Sequence, residues 1–212
     1  MSVMERLKTL VIEGNLAEAP KALQDALNAG VDLQQIIDQG LIAAMEVVGE
    51  RFACGDLYIP EMILSARTMQ NCLSALRPLI VGKGVKPKAT VVFGTVQGDV
   101  HDIGKNLVIM MMQSAGFEVH DLGVNVAPEK FCETVHQLKP DLCCMSALLS
   151  TTQGAMRTTI NLLKEKGVLA GVKVMVGGAT ISDSFASEIG ADGYAPDAVA
   201  AIERARELLR LR

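Results

Sequence analysis

The sequence contains no long run of lysine and arginine; its 20 basic residues are scattered and are outnumbered by 24 acidic ones, giving a net charge of −4. Nucleic acids and anionic membrane surfaces are bound through clustered basic side chains, so neither is an expected partner. Small molecules or other proteins are expected instead. Glu5, Arg6, Lys8 and Glu13 interrupt the apolar residues of the first segment. This pattern argues against a signal peptide or a membrane span there, and a cytoplasmic location is the resulting expectation.

Cysteine pairs of the kind that bind zinc are also missing. The five cysteines are odd in number, form no CxxC pair, and include Cys143 and Cys144 in the apolar stretch DLCCMSALL. This usage is typical of buried, reduced thiols rather than of disulfides. With 212 residues, 50% of them hydrophobic, the chain can bury a sizeable core in one large domain or two small ones.

The first 80 residues have the apolar period of α-helices. Breaks at EGN, NAGVD and CGDLYIP divide this part into four predicted helices, with Pro60 in the first turn of the fourth. The apolar groups are Leu7, Leu10 and Val11; Leu16, Ala19, Leu23 and Leu27; Ile37, Leu41, Ala44, Met45 and Val48; and Ile63, Ala66, Met69, Leu73 and Leu76. Residues 81–88, VGKGVKPK, break the period and are predicted to form a linker.

From residue 89 onward, short apolar runs alternate with helical segments. Continuously apolar strands that are each followed by a helix indicate a parallel sheet covered on both faces. This half is therefore predicted to be a five-stranded, doubly wound α/β domain. The predicted strands are ATVVFGTV, FEVHDL, DLCCMSAL, VKVMVGG and DGYA, and the helices are expected from about Gly104, from Pro128, from about Thr152, near Ser182 and from Asp197.

Polar and glycine-rich peptides follow four of these strands. They are QGDVHDIG after the first strand, LLSTTQG after the third, GGAT after the fourth and YAPD after the fifth. In doubly wound sheets, ligands bind beyond the carboxyl ends of the strands. We therefore expect these four loops to frame one site.

The first of these loops does not fit a nucleotide site. Gly98 and Gly104 enclose five residues where the Walker pattern has four, and Lys105 is not followed by Ser or Thr. Asp99 and Asp102 would repel phosphate, and the chain has no GxGxxG fingerprint of dinucleotide sites.

A zinc site is also poorly supported, because Asp99 and His101 are too few ligands and the other two histidines, His120 and His136, have no ligand spacing to them. The pair has another interpretation, in which one histidine binds a metal and a carboxylate orients its ring. A single protein ligand suits a metal that a macrocycle already holds.

Three motifs together carry a specific resemblance. Asp99, His101 and Gly104 form D-x-H-x-x-G, SAL follows at 146–148 and GG at 177–178. This set resembles the signature of cobalamin-binding domains that bind the cofactor base-off and His-on. The whole chain is similar to the cobalamin-binding fragment of cobalamin-dependent methionine synthase and to the small corrinoid proteins of methanol, methylamine and aryl-ether methyltransferase systems.

The resemblance implies a fold in two domains. Residues 1–80 would form a four-helix bundle cap, residues 81–88 the linker, and residues 89–212 a Rossmann-like (flavodoxin-like) cobalamin-binding domain. It also implies roles: His101 is the lower axial ligand of cobalt, Asp99 accepts a hydrogen bond from its other ring nitrogen, and Thr152 continues this relay.

Further contacts with the cofactor follow from the same resemblance. Gly104 leaves room for the corrin ring, and Asp102 is placed among the contacts. The channel for the displaced nucleotide tail would be lined by Ser146, Leu148, Ser150, Gly177 and Gly178, and bordered by Thr180 and Tyr194. Alternative readings stay open, with Ser146 as a strand-end residue, Gly178 as a packing glycine and Tyr194 as a boundary aromatic.

The segment ERFACGDLYIPEM resembles the part of the helical domain that places a cap over the methyl group. Its matching positions are Phe52 and Ile59. Both residues fit the core of a helix pair equally well. The two readings overlap, because a cap is an apolar surface that excludes water and must also be able to move away.

The function that this resemblance implies is that of a methyl-carrying corrinoid protein. The cobalt of cobalamin, or of a related cobamide, would alternate between Co(I) and methyl-Co(III). The implied partners are a substrate-specific corrinoid methyltransferase, an acceptor methyltransferase of the tetrahydrofolate or coenzyme M type, and a reductive activase. The chain alone is expected to lack turnover.

Two other functions remain as alternatives. One is the small cobalamin subunit of an adenosylcobalamin-dependent mutase, in which the helical cap would be unexplained because mutases cover the upper face with a barrel. The other is a B12-dependent sensor, which usually carries an output domain, whereas one helix is expected after Tyr194.

Overall fold

The computed structural model of the chain describes residues 2–80 and 87–211. They group into two compact units, Met1–Pro87 with Gln113–Gly116, and Lys88–Met112 with Phe117–Arg212. Most of the predicted linker, residues 81–86, lies outside the described residues.

The first unit is helical, with the four helical segments that the sequence predicts. Its elements are α1 (Val3–Ile12), α2 (Ala19–Asn28), α3 (Leu33–Gln35), a π-helix (Ile36–Ile42), α4 (Ala43–Ala53) and α5 (Ile59–Ile80). The third predicted segment consists of α3, the π-helix and α4, which follow one another without a break. Pro60 lies in the first turn of α5, as predicted. Leu16, expected in the second helix, lies before α2 and is exposed, because Asn15 Oδ1 accepts a hydrogen bond from Glu18 N and forms a turn there.

Local sequence explains two features of this unit. Helix α1 begins at a capping box, in which Ser2 and Glu5 each accept a hydrogen bond from the backbone N–H of the other. In the π-helix, a Cβ at Gly40 would lie 3.2 Å from side-chain atoms of Leu7 and Met4. The missing side chain therefore lets α1 pack closely against the π-helix.

The second unit confirms the predicted α/β fold. Its strands are β1 (Thr90–Thr95), β2 (Glu118–Asp121), β3 (Leu142–Ser146), β4 (Lys173–Gly177) and β5 (Gly193–Ala195). All pairs are parallel, in the order β2-β1-β3-β4-β5, which is the flavodoxin-like order. The helices are α6 (Ile103–Ser114), α7 (Pro128–Leu138), α8 (Gln153–Glu165), α9 (Asp183–Ile189) and α10 (Ala198–Leu209), with a 3₁₀ turn (Ser150–Thr152) before α8.

Apolar side chains on one face of the sheet form the core with the helices that cover it. Val92 and Val174 belong to the same buried cluster as Phe131 of α7 and Met156 of α8. A Cβ at Gly94 would lie 2.8 Å from the ring of Phe131, so the glycine in β1 makes room for that ring. Because the chain leaves β1 toward β2 and leaves β3 toward β4, a crevice opens at the carboxyl ends of β1 and β3.

Within the part of the chain that the structure describes, no helix combines the length and the apolar character that crossing a bilayer requires.

The five cysteines are free thiols with contrasting environments. Burial raises the pKa of Cys72 to about 11 and that of Cys143 to about 12, and it raises the pKa of Cys144 well above its ordinary value.

Since the thiolate is the reactive species, we expect iodoacetamide to label exposed Cys54 first and half-buried Cys132 more slowly. The three buried thiols should react only after unfolding. Peptide mass spectrometry of native and urea-treated protein measures this order, and rapid native labelling of Cys143 would contradict it.

Candidate functional site

The loop after β1 holds a buried carboxylate against an exposed imidazole. Asp99 is fully buried, whereas the side chain of His101 is 47% exposed. Asp99 Oδ1 accepts a hydrogen bond from the backbone N of His101 at 3.0 Å and lies 2.7 Å from Nδ1 of its ring. This two-residue Asx geometry is local, so D-x-H by itself positions the ring nitrogen on the carboxylate.

The other oxygen of Asp99 binds the loop that follows β3. Its Oδ2 accepts hydrogen bonds from Leu148 N at 2.7 Å, Leu149 N at 3.3 Å and Thr152 Oγ1 at 2.9 Å. One carboxylate therefore joins the two loops that meet at the crevice between β1 and β3.

Two opposing effects set the ionisation of Asp99. Burial acts to raise the pKa of its carboxyl group, but the hydrogen bonds from His101, Leu148 and Thr152 outweigh burial and hold the pKa below its ordinary value. Asp99 is therefore ionised at neutral pH. An ionised acceptor at Nδ1 favours the tautomer with its proton there, which leaves Nε2 with a free lone pair.

The Thr152 hydroxyl has two acceptors within reach. Its Oγ1 lies 2.9 Å from Asp99 Oδ2 and 2.8 Å from the carbonyl oxygen of Leu149. A hydroxyl has one proton to donate. Thr152 can thus turn from the carboxylate to the carbonyl and still donate a hydrogen bond.

Four apolar side chains are exposed around the imidazole, in this loop and in the loop after β3. Val100 and Ile103, on either side of His101 in the sequence, are 68% and 86% exposed, and Leu148 and Leu149 are also exposed. Contiguous exposed apolar side chains commonly mark a binding surface. His101 Nε2 has no hydrogen-bond partner among residues 2–80 and 87–211.

Gly104, in the first turn of α6, faces open space. A Cβ there would meet no protein atom within 4 Å, so protein packing does not require glycine at this position. The described residues also contain no group of three His, Cys, Asp or Glu side chains able to hold a bare metal ion. One free imidazole nitrogen, four exposed apolar side chains and an open glycine fit a flat macrocycle that brings its own metal.

The residues predicted to line the tail channel lie at the same sheet edge. Ser146 Oγ is 3.0 Å from Thr95 Oγ1, Ser150 begins the 3₁₀ turn, and the carbonyl of Thr180 accepts a hydrogen bond from Gln153 at 2.6 Å. Tyr194 is half-buried against the core cluster, which agrees with the alternative reading of a boundary aromatic.

The two glycines at the end of β4 are held by close backbone neighbours. Gly178 has a φ of 130°, and a Cβ there would overlap the carbonyl oxygen of Ala147. A Cβ at Gly177 would lie 2.8 Å from the carbonyl oxygen of Ala195. In the protein without cofactor, Gly178 is therefore a packing glycine, which is the alternative that the sequence left open. Its role in the tail channel stays a prediction.

Three other predicted residues make no hydrogen bond to the Asp99 carboxylate. Asp102 directly precedes α6, where its carbonyl and its Oδ2 accept hydrogen bonds from the backbone and side chain of Asn106 at 2.7 and 3.1 Å. Phe52, half-buried on α4, and Ile59, the 50% exposed first residue of α5, belong to the helical unit.

Sequence reasoning missed three residues that support the loop. Fully buried Thr95 donates a hydrogen bond from Oγ1 to the carbonyl of His101 at 2.9 Å. Asn125, in the loop after β2, accepts one from Gly98 N at 2.8 Å. A usable signal existed: in a 2-1-3 strand order the loop after the second strand must lie beside the loop after the first.

The third missed residue is Lys105, the next residue after the open glycine. Its buried Nζ lies 2.7 Å from Asp121 Oδ1 and 2.8 Å from Asn106 Oδ1. Asp121 Oδ1 also accepts a hydrogen bond from Gly123 N at 2.9 Å. This network ties the start of α6 to the end of β2 and so fixes the helix that follows His101.

Both halves of the chain match known families. Residues 89–203 match a family described as B12 binding domain, and residues 3–77 match a second family with the same description. Dimethylamine corrinoid protein 1 of Methanosarcina acetivorans is 42% identical over 193 residues, or 91% of each chain. A corrinoid protein of Desulfitobacterium hafniense is 38% identical over 212 residues, covering 99% of this chain and 98% of that one.

Solved structures agree with these matches. In the methanol:cobalamin methyltransferase complex MtaBC of Methanosarcina barkeri, one chain is 30% identical with a TM-score of 0.89, covering 98% of this chain and 80% of that chain. A cobalamin-binding protein of Desulfitobacterium hafniense is 26% identical with a TM-score of 0.80, covering 97% and 98%. The chain therefore belongs to the B12-binding corrinoid proteins of methyltransferase systems.

Proposed function

We propose that this chain carries methyl groups between two methyltransferases on a bound cobamide, whose cobalt His101 would ligate through Nε2. The observation that carries the proposal is the 2.7 Å contact of His101 Nδ1 with buried Asp99, which leaves Nε2 free on a side chain that is 47% exposed. A bound cobamide would supply the cobalt that accepts and releases the methyl group, and the protein would orient and shield it.

Asp99 and Thr152 would adjust the imidazole as the strength of its bond to the metal changes. Asp99 holds the Nδ1 proton, which raises the basicity of Nε2. The second acceptor of Thr152, the Leu149 carbonyl, would let the hydroxyl turn away from Asp99 and still donate a hydrogen bond. Val100 and Ile103 would exclude water beside the ring, and Gly104 would leave it room.

The remaining assignments are parts of the same proposal. Residues 1–80 would form the cap domain and residues 89–212 the cobamide-binding domain, and the two family matches, at 3–77 and 89–203, support this division. Phe52 and Ile59 would exclude water from the methyl group. Ser146, Leu148, Ser150, Gly177, Gly178, Thr180 and Tyr194 would accommodate the nucleotide tail, with Asp102 among the cofactor contacts.

A methyltransferase is the partner that the relatives support. One chain of the MtaBC methyltransferase complex has this fold over 98% of the present chain, and other relatives are named dimethylamine or trimethylamine corrinoid proteins. We propose a substrate-specific corrinoid methyltransferase as donor partner and an acceptor methyltransferase of the tetrahydrofolate or coenzyme M type, with a reductive activase for reactivation. The mutase-subunit and sensor alternatives lack comparable support.

The test is to ask which nitrogen binds cobalt. The protein is produced with nitrogen-15 histidine, loaded with cobalamin, reduced to Co(II) and examined by electron paramagnetic resonance. If a protein histidine is the axial ligand, the nitrogen splitting changes from the triplet of nitrogen-14 to the doublet of nitrogen-15. We expect this doublet in the wild type and its loss in His101→Ala.

The other two histidines are the matched controls. His120→Ala, on β2, and His136→Ala, on α7, should keep the doublet, because neither ring contacts Asp99. A triplet in the labelled wild type would mean that the cofactor's own base stays on cobalt. A doublet that survives His101→Ala would assign the ligand to another histidine. Either result would refute the proposal.

A further inference from the structure

The loop between β2 and α7 runs beside the loop that carries His101. Thr95 N donates a hydrogen bond to Gly123 O at 3.0 Å, and Val126 N donates to Thr95 O at 2.9 Å. These bonds continue the pairing of β1 with β2 past the strand ends. They hold Asn125 next to the Asp99 segment.

Asn125 binds that segment twice. Its side-chain Oδ1 accepts a hydrogen bond from Gly98 N at 2.8 Å, and its backbone N donates to Asp99 O at 2.8 Å. Asn125 itself has a φ of 52°, a left-handed conformation that non-glycine residues other than Asn and Asp rarely adopt. This unusual conformation turns both polar groups toward the same loop.

The two bonds flank the residue that orients the imidazole. Gly98 also has a positive φ, 86°, and as a glycine its backbone is intrinsically free to rotate. With Gly98 N and Asp99 O both held by Asn125, the Asp99 carboxylate is directed at His101 Nδ1 on one side and at Leu148 N on the other.

We propose that Asn125 is a positioning residue that sets the orientation of His101 toward the cobamide by fixing the backbone on both sides of Asp99. This inference deepens the proposed function and rests on it. Asn125 acts only through Asp99 and would touch neither the metal nor the methyl group.

Two substitutions separate the side chain from the backbone conformation. Asn125→Gly removes the Oδ1 acceptor but adopts a positive φ without strain, so the fold should be kept. Asn125→Asp keeps an acceptor for Gly98 N and tolerates the left-handed region. Lys139→Gly is the matched control, because Lys139 ends α7 in the same left-handed region, at φ 46°, without a hydrogen bond to the His101 loop.

Two readouts judge these variants. In the cobalamin-loaded, nitrogen-15-histidine protein, we expect Asn125→Gly to bind cobalamin about tenfold more weakly, the fold-change that one lost hydrogen bond produces, and to lose part of the histidine doublet. In the protein without cofactor, nitrogen-15 NMR should show the His101 ring shifting from the Nδ1–H tautomer toward a mixture of tautomers. Asn125→Asp and Lys139→Gly should resemble the wild type in both readouts.

A full doublet together with wild-type ring-nitrogen shifts in Asn125→Gly would overturn the inference, and so would equal losses in Lys139→Gly. If the wild type itself shows no histidine nitrogen on cobalt, the proposed function fails. In that case the NMR of the cofactor-free protein still decides about Asn125: changed ring-nitrogen shifts in Asn125→Gly support its positioning role, and unchanged shifts overturn it.

Discussion

Replacing Asp99 with alanine is expected to destabilise the α/β unit by about 3–5 kcal/mol, because it removes a buried acceptor that several donors share. The backbone N–H groups of His101, Leu148 and Leu149 and the Thr152 hydroxyl all donate to this carboxylate. Asp99→Asn should lower the free energy of unfolding by less than Asp99→Ala does, because its amide oxygen can still accept hydrogen bonds from one of the two loops. Its NH₂ group would face the donors of the other loop, so some loss should remain.

Urea unfolding of the cofactor-free protein, followed by circular dichroism, measures this loss. Asp141→Ala is the matched control, because Asp141 is exposed and accepts one hydrogen bond from a backbone N–H, that of Thr90 at 2.8 Å. It should cost about 1 kcal/mol. Equal unfolding midpoints for Asp99→Ala and Asp141→Ala would contradict this, because the Asp99 hydrogen bonds would then contribute no more to stability than one exposed hydrogen bond does.

The Asp99 carboxylate should also make the stability of the cofactor-free protein depend on pH. Folding lowers the pKa of Asp99 below its ordinary value, so its stabilisation is fully present above the unfolded pKa, about 4. It is lost as the pH falls from there through the folded pKa. Asp99→Asn, which cannot ionise, should therefore show a shallower loss of stability below about pH 4.

Replacing Gly178 with alanine is expected to prevent correct folding of the α/β unit or to cost more than about 4 kcal/mol. The new Cβ would overlap the carbonyl oxygen of Ala147, and the φ of 130° is a conformation that L residues rarely adopt. Because Ala147 N also donates to Gly177 O at 3.2 Å, relieving the clash would separate the ends of β3 and β4. Soluble yield and the urea midpoint measure the effect.

Gly104→Ala is the matched comparison. It should leave the stability of the protein intact and weaken its binding of cobalamin instead. Its Cβ meets no protein atom within 4 Å, and Gly104 is not among the glycines with a positive φ, so alanine fits there without strain. The variant should therefore be at least as stable as the wild type, yet bind cobalamin more weakly if the open space belongs to the corrin ring. Wild-type stability of Gly178→Ala, or wild-type cobalamin affinity of Gly104→Ala, would contradict these assignments.

The sequence by itself determined the features that depend on neighbours along the chain. Apolar period distinguished the helical half from the α/β half, and the strand and helix positions followed, since buried strands and amphipathic helices carry their own patterns. The Asp99 contact with His101 was equally accessible, because two residues of an Asx turn suffice to form it.

Only the tertiary structure decided how distant residues meet at the site, although the family resemblance had already implied Thr152 as the relay hydroxyl. Thr152 lies 53 positions from the carboxylate it binds, and Asn125 lies 27 positions from Gly98. No local pattern specifies such pairs, because strand order brings them together: β1 lies between β2 and β3, so the loops after those strands converge on the loop after β1. The need for glycine at 178 likewise comes from the closeness of the Ala147 carbonyl, 31 positions away in sequence.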